Sequence, residues 1–145
     1  MPESETDLPI GGMWDALAPV WDRYGDWHAA TTRELTRTMV DALDPHEGDT
    51  VLELACGPTA DGAIEVARLL PGRCRVIASD LSAAMITAAR RRGTDAGVEA
   101  EYRQLDVTAL DLADATVERA LARWVYMLLP DPAAAFAEAR RVIRP

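Results

Sequence analysis

Lysine is absent from this sequence. All 15 basic side chains are arginine, and 24 acidic residues give a net charge of −9. The excess of acid falls in residues 1–61, which hold 13 acids and three arginines. An acidic surface repels nucleic acids and anionic membranes. We therefore expect a small-molecule substrate, and we expect neither a nucleic-acid nor a membrane partner.

Cysteine and histidine are scarce, with two of each in the chain. Cys56 and Cys74 lack the CxxC spacing of zinc and redox sites, and two histidines cannot complete a typical zinc site with them. The sequence therefore predicts no disulfide framework and no metal centre, and we expect both thiols to be reduced.

Long hydrophobic runs are also missing. No segment approaches the ~18 consecutive apolar residues of a membrane span. The first residues, MPESETD, are acidic, whereas a secretory signal peptide begins with basic residues. These features favour a cytoplasmic protein, and a chain of 145 residues is long enough for one hydrophobic core.

Helical and strand-like segments alternate along the chain. Thr31 and Glu34 form a capping-box pattern for a helix that ends at Pro45, and Asp61, Ser82 and Asp131 are candidate N-caps of later helices. This alternation predicts an α/β sandwich with parallel strands and right-handed crossovers. The four predicted strands are VLELA (51–55), RCRVIAS (73–79), VEAEYRQLD (98–106) and VERALARWVYM (117–127).

The segment VLELACGPTADG (51–62) interrupts a buried strand with small residues. In an open parallel sheet, ligands bind beyond the carboxyl ends of the strands, where the strand order reverses. Small residues at this point let a ligand approach the backbone. Glu53, Asp80 and Asp106 end three successive strands, and an acid in the position of Asp80 is placed to bind a ribose diol. The pattern predicts a row of three carboxylates around an adenosine-containing cofactor.

The same loop discriminates between cofactors. A nicotinamide fingerprint requires GxGxxG, but Ala55 and Ala60 replace the first and last glycine. Glu53 and Asp61 flank the loop, and such acids oppose a pyrophosphate at a helix N-terminus. They favour a cationic partner such as S-adenosylmethionine, which carries a sulfonium and an ammonium group and no phosphate.

The order and spacing of four segments resemble successive motifs of the class I, Rossmann-like S-adenosylmethionine-dependent methyltransferases, and particularly the quinone-biosynthesis group. The segments are VLELACGPTADG, VIASDLSAAMITAARRR, QLDV and ARWVYMLLPDPAAAFAEARRVIRP. WDRYGDWH (21–28) also resembles the helical cap of these enzymes. The resemblance implies a three-layer α/β/α sandwich in residues 31–145 with a tail and helical cap in residues 1–30. It further implies methyl transfer to a small organic acceptor.

The resemblance also implies roles for individual residues. The residues expected at the methionine portion are Glu53, Ala55, Cys56 and Gly57. Asp80 would hold the ribose hydroxyls, and Arg123 would lie below the cofactor. The residues expected around the adenine are Leu81, Met85, Asp106 and Val107. No catalytic residue is predicted, although His28 is the only imidazole expected near the pocket.

Two departures from the family pattern carry consequences. Thr59 stands where relatives have a glycine, so its side chain could crowd the methionine portion, or be strained if the turn requires a positive φ. The chain also ends at ARRVIRP, where relatives continue into further strands. An incomplete sheet of about four strands would expose the fourth as an edge, which favours a truncated protein or self-association through that edge.

Other interpretations remain open at the level of sequence. The chain could be a noncatalytic S-adenosylmethionine-binding module, an inactive fragment of an enzyme, or a nicotinamide-dependent oxidoreductase. Glu53 could cap a turn, Asp80 could cap a helix, and Asp106 could be a solvated loop residue. The aromatic residues of the first helical segment are more typical of a packed cap than of a cofactor site; they are Trp14, Trp21, Tyr24 and Trp27.

Overall fold

A computed structural model describes residues 9–145, and these contain a four-stranded sheet with the order β3-β2-β1-β4. Every strand pair is parallel, which confirms the predicted α/β class. The strands are β1 (Thr50–Leu54), β2 (Arg75–Asp80), β3 (Glu101–Gln104) and β4 (Arg119–Ala122). The helices are α1 (Ile10–Arg23), α2 (Gly25–Thr31), α3 (Arg33–Leu43), α4 (Asp61–Leu69), α5 (Ala83–Asp95) and α6 (Pro132–Val142).

Strand β1 lies in the interior of the sheet and is hydrogen-bonded on both edges. Leu52 pairs with Ile77 of β2 and with Ala120 of β4. Val51 and Leu52 are both fully buried, as an apolar strand between two layers of helices should be. The strand order reverses at β1, so a crevice forms at its carboxyl end.

The sheet separates two hydrophobic cores, and this gives the three layers of the sandwich. One core joins β1 and β2 to helices α3, α4 and α5 through residues such as Val40, Val66 and Ala89. The other lies on the opposite face, where Leu52 and Ile77 pack with residues of α6 such as Val142. The predicted three-layer arrangement is confirmed.

Two predicted helix caps are correct and two are wrong. Ser82 accepts a hydrogen bond from the Met85 amide, and Asp131 accepts from the amides that follow Pro132. Thr31 does not cap α3, because it is already the last residue of α2 and its hydroxyl bonds to the Trp27 carbonyl oxygen. Asp61 does not cap α4, whose N-cap is Ala60, because its carboxylate pairs with an arginine described below.

The fourth strand is much shorter than its apolar sequence predicts. It stops at Ala122, and the backbone turns at Trp124, whose φ is 58°. A 3-10 helix, Tyr126–Leu128, follows. The apolar residues after Ala122 belong to a turn rather than to a strand, and several of them face the cavity described below.

Helices α1 and α2 are joined to α5 by ion pairs. Asp22 contacts both Arg91 and Arg92, and Arg92 also contacts Asp26. Although Arg92 lies near the end of α5, its side chain is only 19% exposed. The uneven charge of the chain therefore has a structural consequence, since acids of the first helices meet arginines of the later domain.

No helix within residues 9–145 has the length and apolar character to cross a bilayer.

Candidate functional site: a cavity at the strand ends

A cavity of ≈ 200 Å³ opens beyond the carboxyl ends of the strands and beneath α1 and α2. Its walls differ in chemistry. The wall at the strand ends is formed by Glu53, Ala55, Cys56, Gly57, Pro58, Thr59, Asp80, Leu81, Met85, Val107 and Arg123. The opposite wall is apolar and largely aromatic, and is formed by Trp14, Trp21, His28, Trp124, Val125, Leu128 and Leu129.

All predicted site residues except Asp106 line this cavity. Asp106 is exposed, and its carboxylate accepts hydrogen bonds from the amide and hydroxyl of Thr108, at 2.8 and 2.7 Å. Strand β3 ends at Gln104, so Asp106 already lies in a local turn. The predicted row of three carboxylates is therefore not formed, because Glu53 and Asp80 share the wall without Asp106.

Glu53 is held in place by the beginning of α4. Its carboxylate oxygens accept from the amides of Gly62 (3.2 Å) and Ala63 (2.7 Å), and the residue is 4% exposed. Burial raises the pKa of Glu53 to about 7, and the nearby Asp61 acts in the same direction while the two amides oppose it. Glu53 thus binds the first amides of α4, whereas the alternative interpretation had it capping a turn, and it lines the cavity as well.

Asp80 connects the two loops that meet at the cavity. Its Oδ2 accepts from the Gly57 amide at 2.9 Å, and its Oδ1 accepts from the Ser82 amide at 3.0 Å. Burial raises the pKa of Asp80 above its ordinary value, and these amides oppose the shift. A carboxylate oxygen has two acceptor positions, so each oxygen of Asp80 can also accept from a ligand hydroxyl.

The loop between β1 and α4 has a strained backbone, but the strain does not fall at Thr59. Ala55, Gly57 and Ala60 have φ values of 52°, 60° and 44°, whereas Thr59 is not among the residues with positive φ. Left-handed conformations of this kind are costly for residues other than glycine. The expected strain at Thr59 is therefore absent, and its buried side chain lies at the cavity wall beneath α2.

Arg123 follows β4 and joins it to the helices above the cavity. One guanidinium nitrogen donates to Asp61 at 2.8 Å, and another donates to the hydroxyls of Thr36 (2.8 Å) and Thr32 (3.2 Å). The guanidinium also lies 5.0 Å from the ring centre of Trp124. Asp61 thus balances the charge of Arg123, and this ion pair lies next to Trp124 of the aromatic wall.

Sequence reasoning did not identify most of the aromatic wall. Trp14 and Trp21 belong to α1, and Trp124 follows β4, yet all three line one cavity. The predicted packed cap is only partly correct, because Trp21 is 42% exposed and Trp27 is 68% exposed. The sequence signal was the concentration of four large aromatics within residues 14–27, and their partial exposure in the structure shows that they do more than fill a core.

The arrangement of the strand ends and the cavity is typical of one class of protein. An α/β sheet with acids near the carboxyl ends of β1 and β2, and a turn of small residues after β1, is the pattern typical of a nucleoside site at the switch point. Over residues 51–145, the chain matches the family described as the methyltransferase domain. The chain belongs to this family, and its resemblance to the S-adenosylmethionine-dependent methyltransferases is confirmed.

The chain is also similar to individual proteins. The chain is 36% identical over 137 residues to an uncharacterized 37.1 kDa protein in transposon TN4556 of Streptomyces fradiae, covering 93% of this chain and 39% of that protein. It is 27% identical to a 2-phytyl-1,4-naphtoquinone methyltransferase of Trichormus variabilis, covering 94% and 60%. A solved SAM-dependent methyltransferase from Aquifex aeolicus superposes with a TM-score of 0.68 at 21% identity, covering 76% of this chain and 58% of that one.

The chain spans 39% of the length of the first of these relatives and 60% of the second.

Proposed function

We propose that this chain binds S-adenosylmethionine in the cavity and transfers its methyl group to a small organic acceptor. One observation carries the proposal. Glu53 and Asp80 lie on one wall of a single cavity, on either side of the turn that contains Gly57. Membership of the methyltransferase domain family supports the same function.

The cavity residues fit the chemical groups of this cofactor. The buried carboxylate of Glu53 suits a cationic ammonium group, and Asp80 retains acceptor positions for ribose hydroxyls. A Cβ atom added to Gly57 would meet nothing within 4 Å, so the turn leaves open space for a ligand. Among residues 9–145, the only arginine of the cavity wall is Arg123, which is paired with Asp61, so this part of the chain offers no free arginine there to a phosphate.

The two walls of the cavity contribute positioning to the reaction. The sulfonium of S-adenosylmethionine supplies an activated methyl group when it is bound. The strand-end wall fixes the donor side, and the aromatic wall holds the acceptor and excludes water. Proximity and alignment of this kind lower the barrier of a bimolecular reaction substantially.

The aromatic wall indicates the chemical character of the acceptor. Trp14, Trp21 and Trp124 offer flat apolar surfaces, and Leu128 extends them. The Trichormus variabilis relative is named for a naphthoquinone compound. We propose that the acceptor is a flat, apolar ring compound of comparable chemistry.

Calorimetry with S-adenosylhomocysteine, the demethylated product, tests this function. We expect saturable binding of S-adenosylhomocysteine. Titrations with S-adenosylmethionine should show an affinity that increases as the pH rises through about 7, because the Glu53 carboxyl must ionise to attract the ammonium group. The variant Glu53→Gln should bind more weakly and lose that pH dependence. Absence of binding, or tighter binding of NADH, would contradict the proposal.

The pH dependence of the free protein should have the opposite sign. The pKa of Glu53 is higher in the folded protein than its ordinary value of 4.5. The contribution of this group to the free energy of unfolding is therefore fully present below about pH 4.5 and is lost as the pH rises through about 7. Measured over the same pH range, cofactor affinity should therefore increase with pH while the contribution of Glu53 to the free energy of unfolding decreases.

We also propose that two further expectations hold for this protein. They are the division at residue 30 between the helical cap and the main domain, and the cytoplasmic location. The division is supported by α1 and α2, which end at Thr31, ahead of α3 and the first strand, and the acidic composition supports the location. Limited proteolysis that cleaves first near residue 30 would support the division, and cleavage first within the sheet would contradict it.

Self-association through β4 is a third proposal. Strand β4 is the last strand of the sheet order, and the bridge from Val117 to Ile143 lies two residues before its first residue, Arg119. A free strand edge can pair with another chain. Sedimentation velocity at increasing concentration should show a dimer, and a monomer at every concentration would reject this proposal.

A further inference from the structure

His28 is a partly buried titratable residue whose role the proposed function leaves open. It belongs to α2, its ring lines the cavity, and its side chain is 19% exposed. Its Nε2 atom is buried and has no hydrogen-bond partner among the described residues. A buried polar atom without a partner is costly, so this nitrogen is suited to a bound group that donates a hydrogen bond.

The surroundings of His28 distinguish its two ring nitrogens. Nδ1 lies 3.9 Å from Oδ2 of Asp61, and Asp61 is itself fixed by Arg123. A carboxylate on the Nδ1 side favours the tautomer with its proton on that nitrogen, which leaves a lone pair on Nε2. The rings of Trp21 and Trp124 stand edge to face with the imidazole, at 5.9 and 5.5 Å between ring centres.

We propose that His28 accepts the proton of a hydroxyl-bearing acceptor, such as a phenol or hydroquinone, bound against the aromatic wall. This proposal rests on the proposed function and adds a residue role and an acceptor class to it. Trp21 and Trp124 are each more than two fifths exposed, so an entering ring can displace an indole and reach Nε2.

The proposed step balances in atoms and charge. The O–H bond of the acceptor breaks, its electron pair stays on oxygen, and the proton passes to Nε2. That oxygen forms the new bond to the methyl carbon, and the electron pair of the broken S–CH₃ bond remains on sulfur. The positive charge that began on sulfur ends on the imidazolium of His28, next to the Asp61 carboxylate.

The surroundings of His28, above all its burial, favour its neutral and basic form. Burial lowers the pKa of His28, and the positive charge of Arg123 lowers it further, while Asp61 opposes both. With saturating S-adenosylmethionine, methyl transfer to a hydroxyl should therefore decline as the pH falls and His28 becomes protonated. The pH profile of the rate should lose this acidic limb when His28 is replaced.

A chromogenic phenol tests the proposal without turnover. The probe is 4-nitrophenol, whose phenolate absorbs visible light, added to the full chain with S-adenosylhomocysteine present. We expect the bound probe to ionise at lower pH in the wild type than in His28→Gln. The matched control is His46→Gln, which changes the only other histidine, an exposed residue that contacts Arg119, and it should behave as the wild type.

Proton NMR of the two imidazoles gives a second readout. Each histidine is assigned by its Gln variant. Addition of the probe should move the His28 ring signals to imidazolium positions and leave those of His46 unchanged. Identical probe ionisation in the wild type and His28→Gln would overturn the proposal, and so would unmoved His28 signals or a cavity that binds no phenol.

Methyl transfer from labelled S-adenosylmethionine to 4-nitrocatechol completes the test. His28→Gln should lower kcat by about 100-fold or more, the usual range for a general base, with KM little changed. S-adenosylhomocysteine should bind this variant as it binds the wild type. If the wild type itself did not bind S-adenosylhomocysteine, the proposed function would be rejected. The 4-nitrophenol and NMR results would still decide whether His28 accepts a proton from a bound phenol.

Discussion

Asp80→Ala is expected to weaken the binding of S-adenosylhomocysteine by about 10- to 150-fold. The expected loss is about 1.5–3 kcal/mol, the usual contribution of hydrogen bonds to a charged group. Asp80 accepts from the Gly57 and Ser82 amides on either side of the cavity, so the substitution removes the ligand contact and also loosens the two loops. Calorimetry measures the affinity directly.

Two further variants separate these contributions. Asp80→Asn preserves the shape and one oxygen acceptor, so it should weaken binding less than Asp80→Ala. Asp111→Ala removes an exposed acid that does not line the cavity, and its affinity should equal that of the wild type. An equal loss in Asp80→Ala and Asp111→Ala would attribute the effect to overall charge and remove Asp80 from the site.

Asp106→Ala tests the predicted site residue that does not line the cavity. The resemblance assigns Asp106 to the adenine edge, whereas its carboxylate binds Thr108 in a turn outside the cavity wall. A large loss of affinity in this variant would show that the turn rearranges when the cofactor binds. Unchanged affinity would support a purely local role for Asp106.

Gly62→Ala is expected to lower the free energy of unfolding by about 1–3 kcal/mol, the usual cost of overpacking. A Cβ atom at this position would lie 2.8 Å from Oε1 of Glu53 and would also collide with the side chain of Leu121. The Glu53 carboxylate would have to leave the amides that hold it. Urea denaturation measures the stability, and cofactor affinity should decrease with it.

Gly11→Ala is the matched control, because Gly11 also lies in a helix. A Cβ atom there would have its nearest neighbour, the Leu81 side chain, at 3.6 Å, which is ordinary contact. Alanine is favoured over glycine in a helix by about 1 kcal/mol, so this variant should be slightly more stable than the wild type. A stabilising Gly62→Ala would show that α4 can move away from β1, contrary to the tight packing described above.

Local sequence patterns predicted the site residues whose positions follow from the order of strands and helices along the chain. Alternating strands and helices place Glu53 and Asp80 at the ends of neighbouring parallel strands, because parallel strands end at one edge of the sheet. The same logic failed for Asp106. There the strand stops at Gln104 and the nearby Thr108 draws the carboxylate into its own turn. The capping-box pattern at Thr31 failed for a similar reason, since the pattern ignores the helix that precedes it.

The acceptor side of the site could not be predicted in this way. His28 and Trp21 come from the first helices, whereas Trp124 and Arg123 follow the last strand. Nothing in their local sequence indicates that they meet. Their contacts depend on how α1 and α2 lie on the sheet, and ion pairs such as Asp22–Arg92 contribute to that placement.

The sequence by itself determined the α/β class, the parallel strands and the two strand-end carboxylates, because periodicity and turn chemistry act over a few residues. The tertiary structure alone decided that Glu53 is buried against the amides of α4 and that Asp106 lies outside the cavity. It also decided that Nε2 of His28 has no partner within the part of the chain that the structure describes. These properties arise when distant segments pack together and exclude water, and burial of that kind sets both the hydrogen-bond partners and the pKa values of the site.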